Sequence, residues 1–100
     1  MSRLGPLFDD LRRDKRCAVI PYLVAGDPSE ALTVLLMHSL VQAGADVIEI
    51  GVPFSDPMSE GPTIQKGHER ALAGGTSLRS TLALVKQFRA TDSKTPLILM

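Results

Sequence analysis

A single cysteine excludes an internal disulfide framework and fits a reducing cytoplasm, where this chain is expected to reside. Net charge is also missing: 11 Lys and Arg balance 11 Asp and Glu. That balance argues against a surface built for nucleic acid or an anionic membrane. No apolar run approaches the ~20 residues that a membrane-spanning helix needs. The N-terminus lacks the basic–apolar–small pattern of an export signal, and no internal repeat or low-complexity tract occurs. The absence of most consequence is local. Residues 17–65 contain no Lys or Arg but hold six acids: Asp27, Glu30, Asp46, Glu49, Asp56 and Glu60. The compensating charge lies outside, with five basic residues against three acids before position 17 and six against two after position 65.

What is present, 44% hydrophobic residues in 100, is enough for a packed core. Leu4, Leu7, Phe8 and Leu11 recur at helical spacing, which predicts an amphipathic helix over 3–14 with Ser2 at its cap. Cys17 to Val24 is a continuous apolar run, the pattern of a strand buried on both faces, with Cys17 in the core. Pro21 cannot donate to a ladder, so a bulge or unpaired amide is expected there. Asp27 reads as the N-cap of a helix from Pro28 to Ala43, with Glu30 three residues after the cap. Leu32, Leu35, Leu36 and Leu40 form its expected apolar stripe, and Gly44 its stop. Asp46 to Ile50 is a second short strand, followed by a loop over 51–61. Pro62 opens a helix to about Leu72, ended by Gly74–Gly75. Ser77 caps a further helix whose predicted buried face is Leu78, Leu82, Val85 and Phe88. Pro96 to Met100 is the third strand, and the sequence stops within it.

Apolar strands alternating with helices imply βαβ units and a parallel sheet. Three strands leave such a sheet with an open edge and an unfinished core. The chain therefore reads as the N-terminal part of a longer protein, on the scale of 40% of a (β/α)₈ barrel of ~250 residues.

Glu49 carries the most chemical information. Strand alternation sets Val47 and Glu49 on one face, Ile48 and Ile50 on the other. Glu49 also lies near the C-terminal end of its strand, where parallel α/β folds hold their chemistry. Two readings fit it: a general acid/base raised in proton affinity by burial, or a structural carboxylate satisfied by amides or a distant cation. In the following loop, Phe54 and Met58 suit either partner contact or docking of the loop itself. Asp56 before Pro57 is a turn former, and Glu60 before Gly61–Pro62 suits a helix N-terminus. His38 and His68 read as surface or helix-packing residues; no spacing resembles a metal site.

The segments IPYLVAGDPS (Ile20–Ser29), AGADVIEIGVPFSDP (Ala43–Pro57) and GPTIQ (Gly61–Gln65) together resemble the tryptophan synthase alpha chain, with agreement running from the first helix to Met100. The resemblance implies a TIM barrel with an extra N-terminal helix, residues 1–100 being the N-terminal part of one domain cut within the third strand. It implies retro-aldol cleavage of indole-3-glycerol phosphate to indole and glyceraldehyde 3-phosphate in tryptophan biosynthesis, a lyase step. Glu49 matches the family's catalytic glutamate. Glu60 stands where the familiar motif has aspartate, keeping the charge but adding a methylene, at the position that accepts from the indole N–H. Tyr22, Ile64 and Met100 match positions lining the indole slot, with ordinary core packing as the alternative for Ile64 and Met100. Pro53, Phe54, Asp56 and Pro57 match the segment that touches the beta chain in an alpha2-beta2 complex. Pyridoxal phosphate would belong to that partner; no cofactor or metal is expected in this chain. The family's phosphate site lies at the far end of the barrel, so these 100 residues alone are not expected to catalyse. Two alternatives stay open. One is an isomerase or decarboxylase on a related phosphate-binding barrel, against which the missing Lys and Arg count. The other is a non-catalytic subunit that activates its partner, with Glu60 as a sign of drift.

Overall fold

The structure, a computed structural model, describes residues 2–53 and 61–100. Its elements are α1 (Leu4–Arg13), β1 (Tyr22–Val24), α2 (Glu30–Gln42), β2 (Ile48–Gly51), α3 (Pro62–Ala73), α4 (Leu78–Arg89) and β3 (Leu97–Leu99). The order matches the periodicity reading; the strands are shorter than their apolar runs. All pairing is parallel, in the order β1-β2-β3. Tyr22, Glu49 and Ile98 stand in one row across the sheet, and Val24 stands beside Gly51. The backbone ladder runs past the regular strands. The Glu49 amide donates to Pro21 O at 2.9 Å, the Met100 amide to Ile50 O at 3.0 Å and the Val52 amide to Met100 O at 2.8 Å. Pro21 sits just before the regular strand and accepts from Glu49, while its missing amide interrupts the ladder between the Val47 and Glu49 bonds.

One face of the sheet is covered by α2 and α4. Ala25, Met37, Ile48, Ile50, Leu84 and Phe88 form the buried cluster, with Leu23, Leu40, Val85 and Leu97 packed against it. Ile48 and Ile50 take this face because strand residues two apart point the same way.

Several expectations are corrected. Cys17 is exposed, not core, and Val19 and Ile20 are also exposed. Residues leading into β1 are held end-on instead: Asp46 takes the Val19 amide on its carboxylate at 2.8 Å and returns its own amide to Val19 O at 2.9 Å.

The cap of α2 is Ser29, not Asp27; its hydroxyl accepts from the Leu32 amide at 3.2 Å, and Pro28 lies outside the helix. Asp27 is engaged elsewhere, by Arg70.

The buried stripes are also rotated from the leucine faces. Leu32, Leu35 and Leu36 of α2 and Leu78 and Leu82 of α4 are exposed, while Thr33, Met37, Thr81, Leu84 and Phe88 are buried. Each threonine can go inside because its hydroxyl is satisfied locally. Thr33 Oγ1 donates to Ser29 O at 2.9 Å and Thr81 Oγ1 to Ser77 O at 2.7 Å, one turn back. Counting only apolar residues therefore misplaces both stripes. At α1 the N-cap is Arg3, not Ser2, although the Ser2 hydroxyl accepts from the Leu4 amide at 3.1 Å. Ser77 caps α4 in a reciprocal box with Ser80, and Gly44 and Gly75 take positive φ just past α2 and α3. His38, as expected for a helix-packing residue, lies against the Phe88 ring with centroids 4.6 Å apart.

Candidate functional site

The opposite face of the sheet carries Tyr22, Glu49 and the chain leading to Met100. These three, with Ile64 from the first turns of α3, line one open cavity of about 360 Å³. Four residues separated widely in sequence, each singled out beforehand, thus meet in one place. Three are half-buried and Met100 is exposed. Apolar side chains dominate the walls, and Glu49 is the acid among them.

The acids of the cation-free segment have divided fates. Asp46 pairs with Arg16 at 3.1 Å. The Val19 amide chiefly, with Arg16 in support, holds the Asp46 carboxyl below its ordinary range against the opposing pull of partial burial. Asp27 receives both arms of the Arg70 guanidinium, Nε to Oδ1 at 2.7 Å and Nη2 to Oδ2 at 2.9 Å. Glu30 accepts from the Thr76 hydroxyl at 3.4 Å. Both cations come from outside residues 17–65. Among the described residues, no Lys or Arg pairs with Glu49.

Two residues at the site were missed by sequence reasoning. Gly51 stands two positions after Glu49, and a Cβ there would collide with the Tyr22 hydroxyl. The ring of Tyr22 therefore lies along the sheet toward the C-terminal ends of the strands. His68, one turn after Ile64 on α3, is 1% exposed, and its Nε2 lies 3.3 Å from Tyr22 Oη. The i, i+4 spacing of Ile64 and His68 was the available signal. Helix α3 comes close to β1 because Gly67 has no side chain; a Cβ there would stand 2.9 Å from Asp27 Oδ2.

Pro53, expected at a partner surface, is buried just beyond β2. Glu60, Phe54, Asp56 and Pro57 lie outside the described residues. Among the described residues, no group of three or more His, Cys, Asp or Glu side chains is disposed to hold a metal, and no helix is long and apolar enough to cross a membrane.

Glu49 lies within β2, not at its end, and a half-buried acid beside an apolar slot, on the face of a parallel sheet opposite α2 and α4, fits the inner face of an α/β barrel. The comparisons with known proteins narrow that class. The family model for the tryptophan synthase alpha chain matches residues 8–100. The chain is 61% identical over its 100 residues to the tryptophan synthase alpha chain of Dechloromonas aromatica and 58% identical to that of Nitrosospira multiformis. It superposes on tryptophan synthase subunit alpha of Legionella pneumophila with a TM-score of 0.98 at 51% identity, covering all of this chain and 38% of that one. A structure of tryptophan synthase from M. tuberculosis, in an aminoacrylate-bound form, matches at 0.89 and 44% identity, with 40% of that chain covered. This chain belongs to the tryptophan synthase alpha chain family, and its fold is a portion of a TIM barrel preceded by a helix. It spans about 37% of the length of the curated relatives it matches.

Proposed function

We propose that these residues are the N-terminal part of a single barrel domain in the alpha subunit of tryptophan synthase. The whole protein would cleave indole-3-glycerol phosphate to indole and glyceraldehyde 3-phosphate. One observation carries the reading: Glu49 stands without a cation partner among the described residues, in a cavity whose other walls are Tyr22, Ile64 and Met100.

The chemistry follows from the bond that breaks. The ring carbon bearing the side chain must gain a proton, so that the indole leaves as a neutral ring. The neighbouring side-chain hydroxyl must lose its proton as the carbon–carbon bond opens and the aldehyde forms. Glu49 serves both transfers, as acid to the ring carbon and base to the hydroxyl. Tyr22 stacks on the indole and Ile64 and Met100 close the slot. Glu60 accepts from the indole N–H and stabilises the positive charge that protonation places on the ring. It carries one methylene more than the aspartate of the familiar motif.

We further propose that Phe54, Asp56 and Pro57 meet a tryptophan synthase beta chain, as their match to the family segment implies, while Pro53, buried, roots the loop. The M. tuberculosis structure, named for tryptophan synthase as a whole, supports such an assembly.

The test is Glu49→Gln in the full-length protein, which keeps shape and removes proton transfer. Cleavage should fall by about 10²–10⁴-fold, the range of general acid–base catalysis, with the thermal transition unchanged. Retained turnover would remove Glu49 from the mechanism.

A further inference from the structure

A tyrosine in an apolar slot poses a problem that a phenylalanine does not. Its hydroxyl needs a partner, and a phenol without one either drags water into the slot or turns its oxygen toward the ligand. Here the hydroxyl lies over Gly51, where only the missing Cβ leaves room, and its oxygen is 3.3 Å from His68 Nε2. His68 is buried to 1% exposure and reaches from α3 across to Tyr22 on β1. Tyr22 is in turn the register neighbour of Glu49. We infer that His68 is a positioning residue: it draws the Tyr22 hydroxyl over Gly51, so that the aromatic face, not the oxygen, forms the slot wall beside Glu49.

The inference rests on the proposed indole-releasing function for its kinetic readout, but the pairing itself can be read without activity. Nothing in it requires His68 to touch the substrate. Its effect should fall on substrate binding and disappear when the hydroxyl is gone.

The experiment is a double-mutant cycle in the full-length protein with His68→Leu, Tyr22→Phe and the combination. With Tyr22 present, His68→Leu should raise KM about fivefold with little change in kcat, the scale of one ordinary hydrogen bond. With Phe at position 22 the same change should alter KM less than about twofold. His68→Gln, whose amide reaches the place of Nε2, should restore most of the loss. His68→Asn, which reaches only the place of Nδ1, should not. This Gln and Asn pair carries the test if the leucine variant does not fold. Equal losses in both backgrounds would mean that His68 merely packs, and would overturn the inference. In parallel, the ring-nitrogen NMR signals of ¹⁵N-labelled histidine should move for His68 in Tyr22→Phe. A signal that stays in place overturns the pairing whether or not the protein releases indole. Absence of cleavage in the unmodified protein, with that signal moving, would instead defeat the proposed function alone.

Discussion

Asp46 and Glu49 stand three residues apart on one segment, Asp46 just before β2 and Glu49 within it, in different surroundings. At the N-terminal end Asp46 is fully engaged: the Val19 amide, the Arg16 guanidinium and its own amide tie β2 to the approach to β1. Within β2, Glu49 has an apolar slot beside it and no cation among the described residues. Parallel α/β folds divide labour in this way, with stability at the bottom of the sheet and chemistry at the top. A sequence that keeps Lys and Arg out of residues 17–65 achieves the division by rationing cations. Arg16 and Arg70, at its borders, reach the acids that hold structure together.

The comparison can be broken from the bottom first. Asp46→Ala leaves the Val19 amide and Arg16 without their partner and should cost about 2–3 kcal/mol of stability, since a hydrogen bond to a charged group is lost. Chemical unfolding measures it, and kcat of the folded fraction should stay the same. Because the carboxyl is held below its ordinary value of 3.8, its contribution is full at neutral pH. It declines as pH falls through that value and is gone below the folded one. A Tm difference between wild type and Asp46→Ala that does not shrink on acidification would contradict this.

Breaking the top should do the reverse. Gly51→Ala pushes the Tyr22 ring off its place and should raise KM about tenfold, equivalent to about 1.4 kcal/mol, with a smaller loss of Tm. Adding Tyr22→Leu, which removes the colliding ring, should relieve the loss of Tm but not the loss of binding. Arg70→Lys should matter least. It keeps the charge and loses the two-armed grip on Asp27, and with Arg70 more than half exposed the change should be below about 1 kcal/mol in thermal unfolding.

Much of this was legible before any coordinates. Pro62, Gly74–Gly75 and Ser77 mark helix ends through backbone geometry that neighbours cannot alter, and α3 and α4 begin and stop there. Alternation placed Ile48 and Ile50 in the core and Glu49 on the other face, since a strand has only two faces. Helices were harder. A helix offers many faces, and the leucine-rich ones of α2 and α4 lost to faces holding Thr33 and Thr81. Apolarity alone does not register a threonine whose hydroxyl is returned to its own helix. Asp27 looked like a cap because capping is local, yet a guanidinium 43 residues away competes better than a helix amide.

The residues alone determined the order of elements and the strand faces, because these depend on local periodicity and on signals contiguous in the chain. Only the tertiary structure decided which acids are neutralised, which helix faces are buried, and that His68 meets Tyr22 over Gly51. Those outcomes join residues 27 with 70, 46 with 16 and 22 with 68, and pairings at such separations are chosen by packing, where each side chain competes for partners that no local pattern names.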